Sequence, residues 1–145
     1  MVGCGHYCLG CSNLQLIEPT KDSIKLTVDD FILQLKDYST RLRTNNISFL
    51  GGDPLYKDNL DFMNALIKEI KEQYNICIYT GYNINYVINF VEGGFKFVKC
   101  GKYDIDLKQV SEKKDTYIKL ASTNQNFYDA NYKQISDKGV LYFER

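Results

Sequence analysis

The order of its apolar segments most constrains the fold of this chain, because short strand-like runs alternate with amphipathic stretches of helical length. Residues 47–50, 76–79 and 95–100 are predicted strands. Helices are predicted after Thr27, from residue 58 to about 74, and over a short stretch at 84–91. This alternation is typical of a mainly parallel sheet with helical crossovers. We therefore predict one α/β domain that spans residues 1–145.

The two longer helices each carry the signature of one buried face. Thr27 is a candidate N-cap, and Asp29 and Asp30 follow in the first turn, where the helix dipole favours anions. Apolar residues at helical spacing give the first helix a buried stripe of Val28, Phe31, Ile32, Leu35 and Leu42. The same spacing gives the second helix a stripe of Leu60, Met63, Ile67, Ile70 and Tyr74.

Two segments show no clear period. Residues 1–22 form a loop rich in glycine and cysteine. Residues 101–138 form a long polar segment, and a stretch of this length is expected to be functional or partly disordered. A last apolar piece at 140–143 is expected to add an edge strand.

The charge balance excludes some classes of partner. The chain has 18 Lys plus Arg against 18 Asp plus Glu, so composition argues against a basic nucleic-acid binder. No apolar run approaches the ~18 residues of a membrane span. The N-terminus lacks the pattern of a signal peptide. We expect a cytoplasmic protein with neither a nucleic acid nor a membrane as partner.

Three of the five cysteines lie within eight residues and form a C-x3-C-x2-C motif of Cys4, Cys8 and Cys11. Thiolates this close indicate zinc or an iron–sulfur cluster. A structural zinc site takes four ligands, and no fourth cysteine follows at ligand spacing. The spacing favours a cluster with one open iron over zinc with a distant fourth ligand, or over three unliganded thiols. Cys77 and Cys100 are expected in strands, as buried structural thiols.

Two glycine-containing turns follow predicted strands. Gly51-Gly52-Asp53-Pro54 comes after the first strand, and Thr80-Gly81-Tyr82 comes after the second. In parallel α/β folds ligands bind at the carboxyl ends of strands. The two glycines would let a ligand approach the backbone, and Asp53 could hold an ammonium group. The alternative interpretation of both motifs is a plain tight turn.

In this order the motifs resemble those of the radical S-adenosylmethionine (SAM) enzymes, and within them the activating proteins of anaerobic (class III) ribonucleoside-triphosphate reductase. The resemblance runs from Gly3 to about Tyr128. Its motifs are Gly3-Cys4-x-His6-x-Cys8-x-Gly10-Cys11-x-Asn13, Ser48-x-x-Gly51-Gly52-Asp53-Pro54-Leu55, Tyr79-Thr80-Gly81-Tyr82, Gly101-Lys102-Tyr103 with Asp106-Leu107-Lys108, and Ser122-Thr123-Asn124-Gln125.

The resemblance implies a fold and a set of binding residues. The fold would be a partial, open (β/α) barrel with a mainly parallel sheet, and its first strand would be truncated because only three residues precede Cys4. The three cysteines of the motif would bind a [4Fe–4S] cluster. Gly51, Gly52 and Asp53 match the stretch that contacts the SAM amino group. Gly10 and Ser12 match positions beside the adenosine, and Thr80 would line the same cavity. His6 lies in the cluster loop and is interpreted as a residue that supports the cluster ligands or shapes the loop, with a surface histidine as the alternative.

The implied function is that of an activase. Reductive cleavage of SAM would generate a glycyl radical on the large subunit of anaerobic ribonucleotide reductase, with an electron from a donor such as flavodoxin or ferredoxin. The radical is carried by the cofactor, so no catalytic side chain is predicted. Two alternatives remain open: an activase of another glycyl-radical enzyme of the formate-lyase type, and a non-catalytic zinc- or thiol-binding remnant.

Overall fold

The computed structural model describes residues 1–143, and strands and helices alternate over most of its first hundred residues. In chain order the elements are α1 (Val28–Leu42), β1 (Asn46–Phe49), α2 (Lys57–Ile70), β2 (Asn75–Tyr79), α3 (Ile84–Phe90) and β3 (Phe97–Cys100). The predicted alternation is confirmed. The second helix ends four residues earlier than expected, because the chain turns after Ile70 so that Asn75 can pair with the residue before β1. The last two residues of the predicted domain lie outside the described part, and the domain assignment stays a prediction.

The main sheet is mixed but mostly parallel. Its strand order is β1-β2-β3-β6, where β6 is Asn126–Asp129. The first three strands are parallel, and β6 runs antiparallel to β3. The α/β class with a mainly parallel sheet is thus confirmed. Over residues 1–143 the sheet does not close into a barrel, and the open barrel stays a prediction.

The polar segment 101–138 is not one long loop. It contains a 3-10 turn at Ile105–Leu107 and strands β4 (Glu112–Lys114), β5 (Tyr117–Lys119) and β6. A second, antiparallel sheet has the order β4-β5-β7, with β7 (Val140–Tyr142) as the expected edge strand. Strands of three residues are too short to show a period, which is why the sequence pattern did not reveal them.

The core lies between one face of the main sheet and the helices. Its fully buried side chains include Leu55, Met63, Leu66, Ile70, Ile76, Ile78, Val87 and Val98. Helix α1 begins with the predicted Thr27 cap, which forms a reciprocal capping box with Asp30. Four of its predicted apolar residues pack against the core. The assignment of Leu42 to the stripe was wrong: it lies in the last turn, beyond those four residues, and is 70% exposed.

The other face of the main sheet lines a cavity of about 1350 Å³, bounded on its far side by the small sheet. Side chains alternate along a strand, so Cys77, Tyr79, Phe97 and Lys99 point into this cavity while their neighbours point to the helices. None of the helices within residues 1–143 has the length and apolar character needed to cross a bilayer.

Candidate functional site

A second cavity, of about 550 Å³, opens at the carboxyl ends of β1, β2 and β3. That volume lies within the range of small-molecule sites. Of the nine residues predicted to bind the cluster or SAM, eight line this cavity and Asp53 does not. The eight are Cys4, Cys8, Gly10, Cys11, Ser12, Gly51, Gly52 and Thr80.

Backbone hydrogen bonds hold the cysteine loop against the sheet. The amides of Gly3 and Cys4 donate to Leu16 and Ile17 at 2.9 and 3.0 Å, which closes the loop at its base. Inside the loop the Cys11 amide donates to the Cys8 carbonyl at 3.2 Å. Gly10, between those two cysteines, has φ of +75°, a conformation that favours glycine. Local backbone contacts therefore define the conformation of the cysteine loop.

The residues before Cys4 form hydrogen bonds with the segment that follows β1. The amino group of Met1 donates to Leu50 at 2.8 Å, and the amides of Gly52 and Asp53 donate to Met1 and Gly3 at 2.9 and 2.7 Å. This ladder runs beside the chain that leaves β1. It brings the start of the cysteine loop next to the Gly-Gly turn.

The three thiols of the loop are free and half-buried. Burial raises the pKa of Cys4. Among residues 1–143 no three His, Cys, Asp or Glu side chains converge closely enough to ligate a single metal ion. A [4Fe–4S] cluster takes each thiolate on a different iron, so its ligands are spread around a cube rather than directed at one point. Cys4, Cys8 and Cys11 line one cavity, as the three ligands of such a cluster would.

The side chain of Asp53 faces protein donors instead of the cavity, and it is 0% exposed. Its Oδ1 accepts from the Leu55 amide at 2.8 Å, and its Oδ2 accepts from the Gly81 amide at 2.8 Å. The Thr80 hydroxyl lies 2.9 Å from both oxygens. His6 Nε2 lies 2.7 Å from Oδ2, which requires the proton on Nε2 because the carboxylate only accepts. These donors fill the carboxylate, so Asp53 joins three segments: the cysteine loop at His6, its own turn at Leu55, and the turn after β2 at Thr80 and Gly81.

His6 ties the cysteine loop to this junction. Besides its contact with Asp53, its ring meets Tyr82 edge-on at a centroid distance of 4.5 Å. The ring lies so close to Gly81 that a Cβ there would be 2.3 Å from His6 Cδ2. At Gly52 a Cβ would lie 2.4 Å from the Leu16 carbonyl and 2.5 Å from that of Gly3. The two glycines are therefore required by close approach, in agreement with the interpretation of His6 as a loop-shaping residue.

Lys99 is a site residue that the sequence analysis missed. It is 8% exposed, lines the cavity with the three thiols, and donates from Nζ to the Gly101 carbonyl at 2.8 Å. Burial lowers the pKa of Lys99 to about 8, and the Asp53 carboxylate opposes this lowering. The signal available in the sequence was a lysine within an otherwise apolar predicted strand. Strand register places Lys99 on the same face of the sheet as its neighbour Tyr79.

Cys77 and Cys100 lie in β2 and β3, as expected, and do not line the smaller cavity. Burial raises the pKa of Cys77 to about 11 and that of Cys100 to about 12. Both thiols therefore stay protonated near neutral pH, unlike metal ligands.

Comparisons with known proteins agree with this geometry. The model of a family described as 4Fe-4S single cluster domain matches residues 1–128. Curated relatives named anaerobic ribonucleoside-triphosphate reductase-activating protein match part of the chain. The protein from Escherichia coli K12 is 32% identical over 88 residues, which is 57% of this chain and 56% of the relative. The protein from Vibrio cholerae is 33% identical over 88 residues, 57% and 55% respectively. That from Haemophilus influenzae is 30% identical over 91 residues, 57% and 56%.

The aligned part of this chain thus spans little more than half the length of these relatives. Their names confirm the resemblance to activating proteins of the anaerobic reductase. No solved structure matches the chain.

Proposed function

The chain belongs to the 4Fe-4S single cluster domain family, and from this premise we propose that it is a radical SAM activase of an anaerobic ribonucleoside-triphosphate reductase. One observation carries the proposal: three thiols on one loop and the backbone of a Gly-Gly turn line the same cavity at the carboxyl ends of parallel strands. The printed names of the curated relatives support the reductase as partner.

The donor set assigns binding roles to the residues around the cavity. Cys4, Cys8 and Cys11 would each bind one iron of a [4Fe–4S] cluster, and the fourth iron would be left without a protein ligand. The backbone of Gly51 and Gly52 is open to the cavity and suits the amino group of SAM. The adenosine would lie by Gly10 and Ser12, with Thr80 on the facing wall.

Asp53 contributes to SAM binding by position. Its four donors fix the turn that presents Gly51 and Gly52. A carboxylate with this many partners would have to give up a buried hydrogen bond to bind an ammonium group directly. We therefore assign Asp53 to holding the turn and the cysteine loop together, with His6 as the contact from the loop.

The chemistry that cluster and SAM supply when bound is one-electron cleavage of the sulfonium to methionine and a 5′-deoxyadenosyl radical, which takes a hydrogen atom from a glycine Cα of the reductase. The protein's task is to bind, orient and exclude water. No side chain of the cavity is assigned as a general acid or base, in line with the expectation that no catalytic residue is needed.

Several finer expectations belong to the same proposal. The main sheet would be part of an open (β/α) barrel of the radical SAM type. The partner would be the large glycyl-radical subunit, the electron donor a flavodoxin or ferredoxin, and the location the cytoplasm.

Assay of 5′-deoxyadenosine tests the proposal. The chain is purified without oxygen, reconstituted with iron and sulfide, reduced with dithionite and given SAM. We expect product from the native chain and from Cys77→Ala, and none from Cys8→Ala. Iron and sulfide uptake with no product from the native chain would refute SAM cleavage. Zinc bound in place of iron would favour the non-catalytic alternative. A glycyl-radical signal on a supplied reductase subunit, but not on a formate lyase, would distinguish the two kinds of activase.

A further inference from the structure

Lys99 poses a charge problem that the proposed function does not address. Asp53 and Lys99 are the two charged side chains that are buried within residues 1–143. Asp53 has its oxygens filled by protein donors. Lys99 has as its hydrogen-bond partner the neutral carbonyl of Gly101, and it forms no salt bridge with a described carboxylate. A buried ammonium group without an anion in direct contact is costly, so the site should supply one.

The surroundings of Lys99 show where that anion belongs. Register places Lys99 beside Tyr79 of β2 and Phe127 of β6, and these rings also lie 5.8 Å apart, edge to face. The lysine stem is thus enclosed by aromatic walls. Lys99 lines the cavity that contains the three thiols, and so does Gly101, whose carbonyl accepts from the Lys99 ammonium group. Burial lowers the pKa of Lys99, and the carboxylate of Asp53 partly offsets this lowering.

The charges lining the cavity have one sign. Lys99, Lys102 and Lys108 line it, and no described Asp or Glu does. Lys102 and Lys108 are exposed, so solvent and salt screen them. Lys99 is screened much less, because apolar groups surround it. An anion inside this cavity would therefore interact mainly with Lys99.

We propose that Lys99 is the buried counter-charge of the iron–sulfur centre held by Cys4, Cys8 and Cys11, and that it raises the reduction potential of that centre. The inference rests on the proposed cluster. Thiolate ligation makes the centre anionic, and reduction adds one more negative charge without a proton. A fixed positive charge nearby stabilises the reduced form more than the oxidised one, and net charge and solvent exposure are known determinants of cluster potentials.

Coulomb's law gives the size of the expected effect. A unit charge about 10 Å away, through an effective dielectric of about 20, changes an equilibrium constant roughly tenfold. For a one-electron couple a tenfold change corresponds to about 59 mV. Replacing Lys99 by a neutral residue of similar shape should therefore lower the ratio of reduced to oxidised cluster about tenfold at a given potential.

The experiment is a redox titration of the reconstituted chain without SAM, with the reduced cluster followed by electron paramagnetic resonance. Lys99→Met removes the charge and Lys99→Arg keeps it. Lys102→Met is the matched control, because it removes an exposed charge from the wall of the same cavity. We expect the midpoint potential of Lys99→Met to be about 59 mV lower than that of the native protein. In Lys99→Arg and Lys102→Met the ratio of reduced to oxidised cluster at a given potential should stay within about twofold of the native value.

Each other outcome bears on the inference. A midpoint in Lys99→Met that equals the native value, or an equal shift in Lys102→Met, would overturn it while the cluster itself still stands. If Lys99→Met takes up no iron and Lys99→Arg does, the counter-charge role is supported. If neither takes up iron, Lys99 is needed for shape and the inference fails. If the native chain assembles no cluster, the proposed function fails first, and iron and sulfide analysis shows this before any titration.

Discussion

Replacement of Asp53 by asparagine tests the junction that holds the site together. The change keeps the shape of the side chain but turns one acceptor oxygen into an NH2 donor. Asp53 accepts from two backbone amides, Leu55 on Oδ1 and Gly81 on Oδ2. Whichever way the new amide is oriented, one of these two N–H groups faces another donor and loses its partner.

The expected loss of stability follows from counting these bonds. A buried donor without a partner costs about 1–3 kcal/mol. The remaining bonds, which include those from Thr80 and His6, change from charged to neutral acceptors and weaken by roughly 1 kcal/mol each. Asp53→Asn should therefore lower the free energy of unfolding by about 3–5 kcal/mol, and the Tm of a chain of this size by roughly 6–20 °C.

The assay is urea and thermal unfolding of the metal-free chain under reducing conditions, followed by far-ultraviolet circular dichroism. Asp61→Asn is the matched control, because Asp61 is an exposed residue of α2 and the same change there should stay within about 0.5 kcal/mol. If Asp53→Asn unfolds within 1 kcal/mol of the native chain, the assignment of Asp53 as a structural junction is refuted.

Three further predictions concern packing and pH. Gly81→Ala should lower the free energy of unfolding by about 1–3 kcal/mol, because the added Cβ would meet the His6 ring. In a double-mutant cycle, His6→Ala should remove most of this loss, and purely additive losses would contradict the contact. Leu66 is fully buried, so Leu66→Ala should lower the free energy of unfolding by about 2–5 kcal/mol. Leu33 is 72% exposed, so Leu33→Ala should change it little, and equal urea midpoints for the two variants would exclude this packing. The pKa of Cys100, raised to about 12 by burial, means that the native state keeps a proton that the unfolded state loses above pH 9. Stability should thus fall as pH rises from about 9 to 12, and Cys100→Ala should flatten the slope of Tm against pH.

The sequence predicts best what depends on near neighbours. The Thr27 capping box and the start of α1 follow from four consecutive residues. The cysteine loop lies within eleven residues of the N-terminus, and its thiols meet one cavity as its spacing suggested. Parallel topology then brings the Gly-Gly turn and Thr80 to the same end of the sheet.

Predictions that depend on distant contacts were incomplete. The environment of Asp53 is made by residues 6, 55, 80 and 81, and no local pattern reveals that these donors fill its carboxylate. From the sequence alone Lys99 is indistinguishable from a solvated lysine, because its burial depends on strand register, which places it between Tyr79 and Phe127. The strands of segment 101–138 escape notice because each is shorter than the window in which alternation becomes visible.

The most direct test of the central claim is the metal content of the anaerobically reconstituted chain and its cysteine variants. We expect a single 4Fe-4S centre in the native protein and in Cys77→Ala, and a loss of iron and sulfide in Cys4→Ala, Cys8→Ala and Cys11→Ala. Full retention of iron and sulfide by all three loop variants would contradict the assignment of these cysteines as cluster ligands. Binding of zinc instead of iron by the native chain would contradict it as well.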